Sequence, residues 1–294
     1  MKNLSKIKVV REDLIYRELE VFLNFLNNKI FPQNRNKIFQ AFPKLRSDIE
    51  KANNTKDKKE IVYQFIFNFY NDNKEKINEI IEESEKLIEA KGEIALKTLS
   101  RLMDYEWSNR IIYYAIPTIL PFSPFKEISF NFSILGKIYG KDKKDVLYVA
   151  IHEISHLVFY DILGKMEIKM ENDIKNYFKE ALAVVLINQQ PLSNILGLKD
   201  YTGNPEIQDI FIKEKDDKEI RLIDFIGKYY QTIKIERKER FNTFIKEILN
   251  MIIPLSENFS EKRKIWNTYG NKIFEDKNLL KQYRIPIKIR GLEN

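Results

Sequence analysis

The chain has 294 residues, of which 44% are hydrophobic and 32% are charged, a composition typical of a folded protein with one or two domains. It contains no cysteine, which excludes a disulfide framework and any metal site or nucleophile built on cysteine. The formal net charge of +7 is of the sign that binds nucleic acid or anionic lipid. Basic residues alternate with acidic ones, however, so we interpret them as solvated helix faces and expect no nucleic-acid binding.

The N-terminus carries basic residues but no apolar core of the length found in signal peptides. No apolar run of about eighteen residues, the length needed to cross a membrane, occurs in the chain. We therefore expect a cytoplasmic protein without a membrane partner. Its oligomeric state cannot be read from the sequence.

The first third of the chain is expected to be helical, because glycine and proline are scarce, at nine each. Residues 9–30 repeat apolar side chains at the helical period. Further helices are predicted across about 35–50 and 58–71. Residues 73–105 predict one long helix, or two joined near Gly92.

The pattern changes after residue 106. Residues 110–117 are β-branched and aromatic, which predicts a strand that ends at proline. Residues 127–135 alternate apolar and polar side chains, which predicts a half-buried strand. A helix should follow, capped by Asp142 or Asp145 and ending near Gly164.

That helix contains the sequence His152-Glu153-x-x-His156 within an apolar segment, and these are the only two histidines of the chain. Positions four apart lie on one face of a helix, so both imidazoles can bind one ion. Two such nitrogens supply half of a tetrahedral zinc site. The carboxylate of Glu153 lies beside that ion, where it can take a proton from a bound water.

A catalytic zinc needs a third protein ligand, and with no cysteine and no further histidine this must be a carboxylate or, less usually, a tyrosine. The nearby carboxylates are Asp161, Glu167, Glu171, Asp173 and Glu180. Glu180 is favoured, because it alone lies in an apolar helical run and carboxylates are rarely buried unless paired or metal-bound. The alternative is a solvated glutamate at the polar edge of an amphipathic helix, which Asn172 or Asp173 begins and Pro191 closes.

Taken together, His152-Glu153-x-x-His156 and Glu180, with Ala183 three residues after it, resemble the gluzincin class of zinc metallopeptidases. The resemblance covers about residues 111–190. It implies a zincin fold, with a small twisted sheet, an active-site helix and a glutamate-bearing helix. It also implies that strand 127–135 is the edge strand that pairs with extended peptide substrates. The alternative is an ordinary strand of the sheet.

The sequence departs from the named subfamilies. Phe159 and Ile162 occupy the positions where metzincins have a glycine and a third histidine. Lys179 replaces the asparagine that precedes the glutamate in aminopeptidases, whose Gly-x-Met-Glu-Asn strand is also absent. Val184 replaces the aspartate that thermolysin-like forms place four residues after the glutamate. We therefore interpret the chain as a divergent gluzincin.

The resemblance implies hydrolysis of peptide bonds in a peptide or protein substrate, with one Zn²⁺ per chain on His152, His156 and Glu180. Glu153 would be the general base. The oxyanion needs a further donor. Our first choice is Tyr201, in the loop after the glutamate helix, and the alternatives are Tyr269 and the pair Tyr229/Tyr230. The alternative function is a catalytically silent zincin-like domain that binds a partner or regulates it.

The sequence thus predicts an α+β fold that is predominantly helical. We expect a helical N-terminal region at 1–106, a zincin-like catalytic core at 107–200 and a helical C-terminal region at 201–294. Residues 192–220 are predicted to be rich in loops, and helices resume at about 220–232 and 236–253.

Overall fold

The protein was analysed as a computed structural model, which describes residues 5–27, 32–52, 54–107, 111–141, 145–214 and 218–289. It is predominantly helical with two small sheets, which confirms the predicted α+β class at this level. Asp142, one of the two predicted caps of the motif helix, and Arg110, at the start of a predicted strand, lie outside the described residues.

Two compact units make up the chain, and each combines separate segments. The first unit contains Met1–Glu93 and Trp107–Glu153, and the second contains Ile94–Glu106 and Ile154–Asn294. One long helix and the helix of the histidine motif each begin in the first unit and continue into the second. The division into 1–106, 107–200 and 201–294 stays a prediction.

The first unit joins a helical region to a four-stranded sheet. Its elements are β1 (Lys6–Val9), α1 (Leu14–Asn27), α2 (Pro32–Ala41), α3 (Pro43–Glu50), α4 (Thr55–Asp72), the start of α5 (Lys74–Leu102), β2 (Ile112–Thr118), β3 (Phe125–Lys126), β4 (Ser129–Ser133), α6 (Leu135–Ile138) and the start of α7 (Val146–Lys165). The region predicted as one or two helices at 73–105 is the single helix α5, since Gly92 is accommodated without a break.

The sheet of this unit has the strand order β1-β2-β4-β3, in which β1, β2 and β4 are parallel and β3 is antiparallel. Two expectations are corrected here. Strand β1 lies where the helix from residue 9 was expected to begin. Strand β4 lies inside the sheet, not at its edge, because β3 pairs with it and the Asn131 N–H donates to the Pro124 carbonyl at 2.7 Å. Its backbone is therefore unavailable to an extended substrate.

The second unit is almost entirely helical. After α7 it contains α8 (Asn172–Ile187), α9 (Gln190–Leu196), α10 (Pro205–Gln208), β5 (Phe211–Lys213), β6 (Glu219–Arg221), α11 (Leu222–Tyr230), a π-helical turn (Gln231–Glu236), α12 (Phe241–Ile252), α13 (Ser256–Tyr269), α14 (Lys277–Tyr283) and β7 (Ile287–Lys288). Strands β5, β6 and β7 form a small sheet in the order β6-β5-β7. Helix α8 packs against α11 and α13.

Helix α7 has apolar side chains on nearly all sides. Helices of this composition lie in the core of a protein or cross a membrane. Helix α7 is long and apolar enough to cross a membrane, which corrects the expectation that no segment of the chain is. In the structure, however, 72% of its most apolar window is buried by the rest of the protein, as expected for a core helix.

The loop after α9 approaches α8 closely at Gly203. Gly203 has a φ of +76°, and a Cβ at this position would lie 2.4 Å from Cγ2 of Val184. The same loop is fixed by Asn188, whose side chain accepts from the Tyr201 N–H at 2.9 Å and donates to the Tyr201 carbonyl at 2.7 Å. Glycine favours this backbone conformation, and its lack of a Cβ allows this close approach.

A buried carboxyl group lies in the core of the first unit. Glu18 on α1 accepts hydrogen bonds from the Thr118 hydroxyl at 2.7 Å, the Tyr70 hydroxyl at 3.0 Å and the Ile119 N–H at 3.3 Å. Burial raises the pKa of Glu18 to about 7, although these three hydrogen bonds act to lower it. At a pH between the ordinary pKa of a glutamate and about 7, the Glu18 carboxyl group is therefore protonated in the folded protein and ionised in the unfolded chain.

The first prediction concerns the free energy of unfolding between pH 5 and pH 8. Because the pKa of Glu18 is raised on folding, its contribution is present at low pH and is lost as the pH rises through about 7. Between pH 5 and pH 8, we expect the free energy of unfolding of the Glu18→Gln variant to fall by about 3 kcal/mol less than that of the wild type. Urea unfolding at several pH values measures the difference. Glu20→Gln, an exposed change on the same helix, is the control and should match the wild type.

The second prediction concerns Gly203. A side chain there must displace Val184 and hold a strained backbone, so Gly203→Ala should lower the free energy of unfolding by about 2 kcal/mol or more. Thermal or urea unfolding measures this. Gly140→Ala is the control, because it also has a positive φ, of +67°, but a Cβ there meets no atom within 4 Å. Equal losses in the two variants would show that Val184 imposes no constraint.

Candidate metal centre

The histidine motif lies on α7, as predicted. Asp145 caps the helix, since its Oδ1 accepts from the Tyr148 N–H at 2.9 Å, which confirms one of the two predicted caps. The helix ends at Lys165, one residue beyond Gly164. Both His156, 1% exposed, and Glu153, 7% exposed, are buried. The polar groups of the motif are thus held in the interior by the apolar side chains around them.

Glu180 on α8 reaches the same place. Its Oε1 lies 3.3 Å from Nε2 of His156. Among the described residues, His152, His156 and Glu180 form a group whose ligand atoms all lie within 4.8 Å of one another. The predicted third carboxylate is therefore close to both histidines.

These three side chains fit a metal ion. Nitrogen and oxygen ligands held at zinc-binding distances around one tetrahedral ion lie about 3.3 Å apart. The His156–Glu180 pair already has this spacing. Two imidazoles and one carboxylate are a donor set that zinc accepts, and three protein ligands leave one position open. The group can therefore bind a metal ion.

The other four carboxylates considered from the sequence are engaged elsewhere or exposed. Asp161 forms an ion pair with Lys165 at 2.6 Å, and Asp173 accepts from the Ser260 hydroxyl at 2.7 Å. The remaining two, Glu167 and Glu171, are exposed. None of the four joins the histidines within the part of the chain that the structure describes.

Tyr201, the predicted oxyanion donor, lies in the loop that Asn188 and Gly203 hold against α8. Its backbone is fixed there by the two hydrogen bonds with Asn188, and its side chain is half-buried. It is not among the residues that line the cavity beside Glu180. Its catalytic role stays a prediction.

A second group of charged residues lies next to Glu180. Glu206, on α10, is buried and forms an ion pair with Arg263 of α13. Burial raises the pKa of Glu206 while Arg263 opposes that change, and the nearby Glu180 carboxylate raises it further. Burial acts to lower the pKa of Arg263, but Glu206, with smaller effects of Tyr177 and Asp173, raises it overall, so the guanidinium stays charged.

The neighbours of this pair keep it in place. The Tyr283 hydroxyl donates to the Glu206 carbonyl at 2.7 Å. Lys262 is buried beside Arg263 and its ammonium donates to the carbonyls of Tyr283 at 2.6 Å and Ile285 at 2.8 Å. Helix α13 is thereby anchored to the C-terminus of α14.

No pattern in the sequence points to Glu206 or Arg263. Glu206 lies 26 positions after Glu180 in a segment expected to be a loop, and Arg263 follows in a helix rich in charged residues. No spacing pattern connects them, because their meeting depends on three elements, α8, α10 and α13. Lys179 was noted only as a departure from a family pattern.

We compared the chain with known proteins at the level of family, sequence and structure. No protein-family model, no curated protein and no solved structure matched it.

Proposed function

We propose that this protein is a zinc-dependent peptidase, a divergent gluzincin, in which Glu153 is the general base. The observation that supports this proposal is the convergence of His152, His156 and Glu180 on one point, with Glu153 buried next to the first histidine. Metal binding alone does not need a carboxylate at Glu153, whereas hydrolysis does.

A zinc ion bound by these residues would polarise the scissile carbonyl and lower the pKa of a water molecule. The side chains of the protein do the rest. His152 and His156 present neutral ring nitrogens from one face of α7, and Glu180 offsets part of the charge of the ion. Glu153 takes a proton from the attacking water and transfers it to the leaving amine.

The order of elements also supports a zincin-like core. A small sheet with three parallel strands and one antiparallel strand precedes α7 in the chain, and α8 follows it. In this proposal α7 is the active-site helix and α8 is the glutamate helix. The substrate is a peptide or protein.

The third prediction concerns the metal. We expect about one zinc per chain in untagged protein, measured by mass spectrometry, because a histidine tag would outnumber the two native histidines. Glu180→Ala should weaken zinc binding by more than the roughly 10–100-fold that loss of a supporting partner causes. Glu171→Ala is the control, since Glu171 is exposed and outside the group.

Two results would contradict this prediction in different ways. Absence of bound metal in the wild type would refute the metal centre itself. Zinc bound equally well by Glu180→Ala would assign the third ligand to another side chain, and Asp161 would be tested next.

The fourth prediction concerns Glu153. Glu153→Gln keeps the shape of the side chain but cannot accept a proton, so it should retain zinc and lose hydrolysis by about 100-fold or more. A peptide library read by mass spectrometry measures hydrolysis, and metal content is measured on the same samples. The control is Glu167→Gln, an exposed change beyond the end of α7.

A fully active Glu153→Gln would refute the role of Glu153. A wild type that binds zinc but cleaves no peptide would refute the peptidase. It would support instead the catalytically silent, partner-binding domain.

A further inference from the structure

A small cavity opens beside Glu180, wholly within the second unit. Its volume is about 120 Å³. It is lined by residues of α8, of the Gly203 loop and α10, and of α13: Asn176, Tyr177, Lys179, Glu180, Asn204, Glu206, Ile207 and Arg263. Tyr177, Lys179, Glu206 and Ile207 are buried, and the other four line its more accessible part.

Arg263 offers unused hydrogen-bond donors to this cavity. A guanidinium has five N–H donors arranged as a fork. Within the described part of the chain, the one hydrogen bond of this side chain runs from Nη1 to Glu206 Oε1. The ion pair with Glu206 holds the fork in place and keeps it charged, while its remaining donors stay available for a second carboxylate.

Lys179 brings a second cation to the same cavity. Its side chain is buried, with 8% of the residue exposed, on a helix whose other buried residues are apolar or aromatic. Its Nζ lies 3.2 Å from Oε1 of Glu180. The ammonium therefore lies next to a carboxylate that is also proposed to bind zinc.

The balance of charge favours an anion. Lys179 and Arg263 carry positive charge, and Glu180 and Glu206 carry negative charge, so the lining by itself is neutral. A zinc ion on Glu180 adds positive charge at one side of the cavity. An anionic group placed beside that ion would be attracted, and a cationic group would be repelled.

The size of the cavity and the proposed peptide substrate together narrow the anion to a carboxylate. The cavity is smaller than the pockets of about 300–1,000 Å³ that hold whole ligands, so it suits a single functional group. The fork of an arginine matches the two oxygens of a carboxylate. Peptides carry this group either in acidic side chains or at their C-terminus.

We propose that the cavity beside Glu180 is a carboxylate-binding subsite, in which Arg263 and Lys179 bind an acidic side chain or the C-terminal carboxylate of a peptide. This inference rests on the proposed peptidase function, since it names the class of substrate for that site. Arg263 is the residue that selects the substrate, and Glu206 is the residue that positions Arg263.

The test measures binding without hydrolysis, by titration calorimetry on the full-length protein, with and without zinc. Three blocked dipeptides serve as probes. Acetyl-Ala-Asp-amide carries only a side-chain carboxylate, acetyl-Ala-Ala carries only a C-terminal carboxylate, and acetyl-Ala-Asn-amide carries neither. We expect one of the two carboxylate probes to bind at least about 10-fold more tightly than the neutral probe.

Two variants test the role of Arg263. The double variant Glu206→Gln with Arg263→Gln replaces the ion pair by two amides, so that no buried charge is left unpaired. Arg263→Lys keeps the charge but loses the fork. Both should reduce the preference for carboxylate, and the double variant more strongly, since only Lys179 and the zinc ion then remain to attract the anion. Thermal unfolding checks that both variants fold. Lys264→Gln, an exposed neighbour on the same helix, is the control.

Equal affinity for all three probes would overturn the subsite, and so would a carboxylate preference that is undiminished in the folded double variant. Failure of the peptidase is seen separately. A chain that binds the carboxylate probes through Arg263 but cleaves no peptide would keep the subsite and remove the enzyme. A chain that cleaves peptides without preferring a carboxylate would keep the peptidase and refute the subsite.

Discussion

Burial of polar groups on α7 is the constraint on which the candidate site depends. A helix that is apolar on nearly all sides has to be buried, and α7 takes the side chains of Glu153 and His156 into the interior with it. Buried polar groups are stable only when they are paired or bind an ion. The carboxylate of Glu180, 3.3 Å from His156, meets this requirement from a second helix.

Helix α8 extends the same constraint to the surroundings of the site. It is buried along most of its length, so Lys179 is buried and Glu180 beside it is half-buried. Their charges lie close to the ion pair of the buried Glu206 with the half-buried Arg263. Charges of opposite sign are therefore adjacent throughout this region, which offsets the cost of removing them from water. The close approach of the loop at Gly203 completes the arrangement, because that loop leads directly into α10 and Glu206.

The sequence predictions were right where a structure depends on residues close together in the chain. They were wrong where it depends on short segments or on pairing between segments. The presence of helices α5 and α8 was predicted, because their apolar periodicity extends over many turns. The predicted end of α8 was wrong, since α8 ends at Ile187 and Pro191 lies in α9. Strand β1 was missed, since its four residues, Lys6 to Val9, are too short for their alternation to be separated from the helix that follows. The assignment of residues 127–135 to a sheet edge was wrong because the pairing of β3 with β4 involves a two-residue strand, which no pattern reveals.

The sequence by itself determined the helical character of the chain and the relation between His152 and His156, because both depend on spacing within one helix. It also narrowed the third ligand to a short list of carboxylates and favoured Glu180 by its apolar context. Only the tertiary structure brought Glu180 to the histidines and placed Glu206, Arg263 and Lys179 around one cavity. Such meetings depend on how loops and packed helices return the chain to one place, and local periodicity carries no information about that.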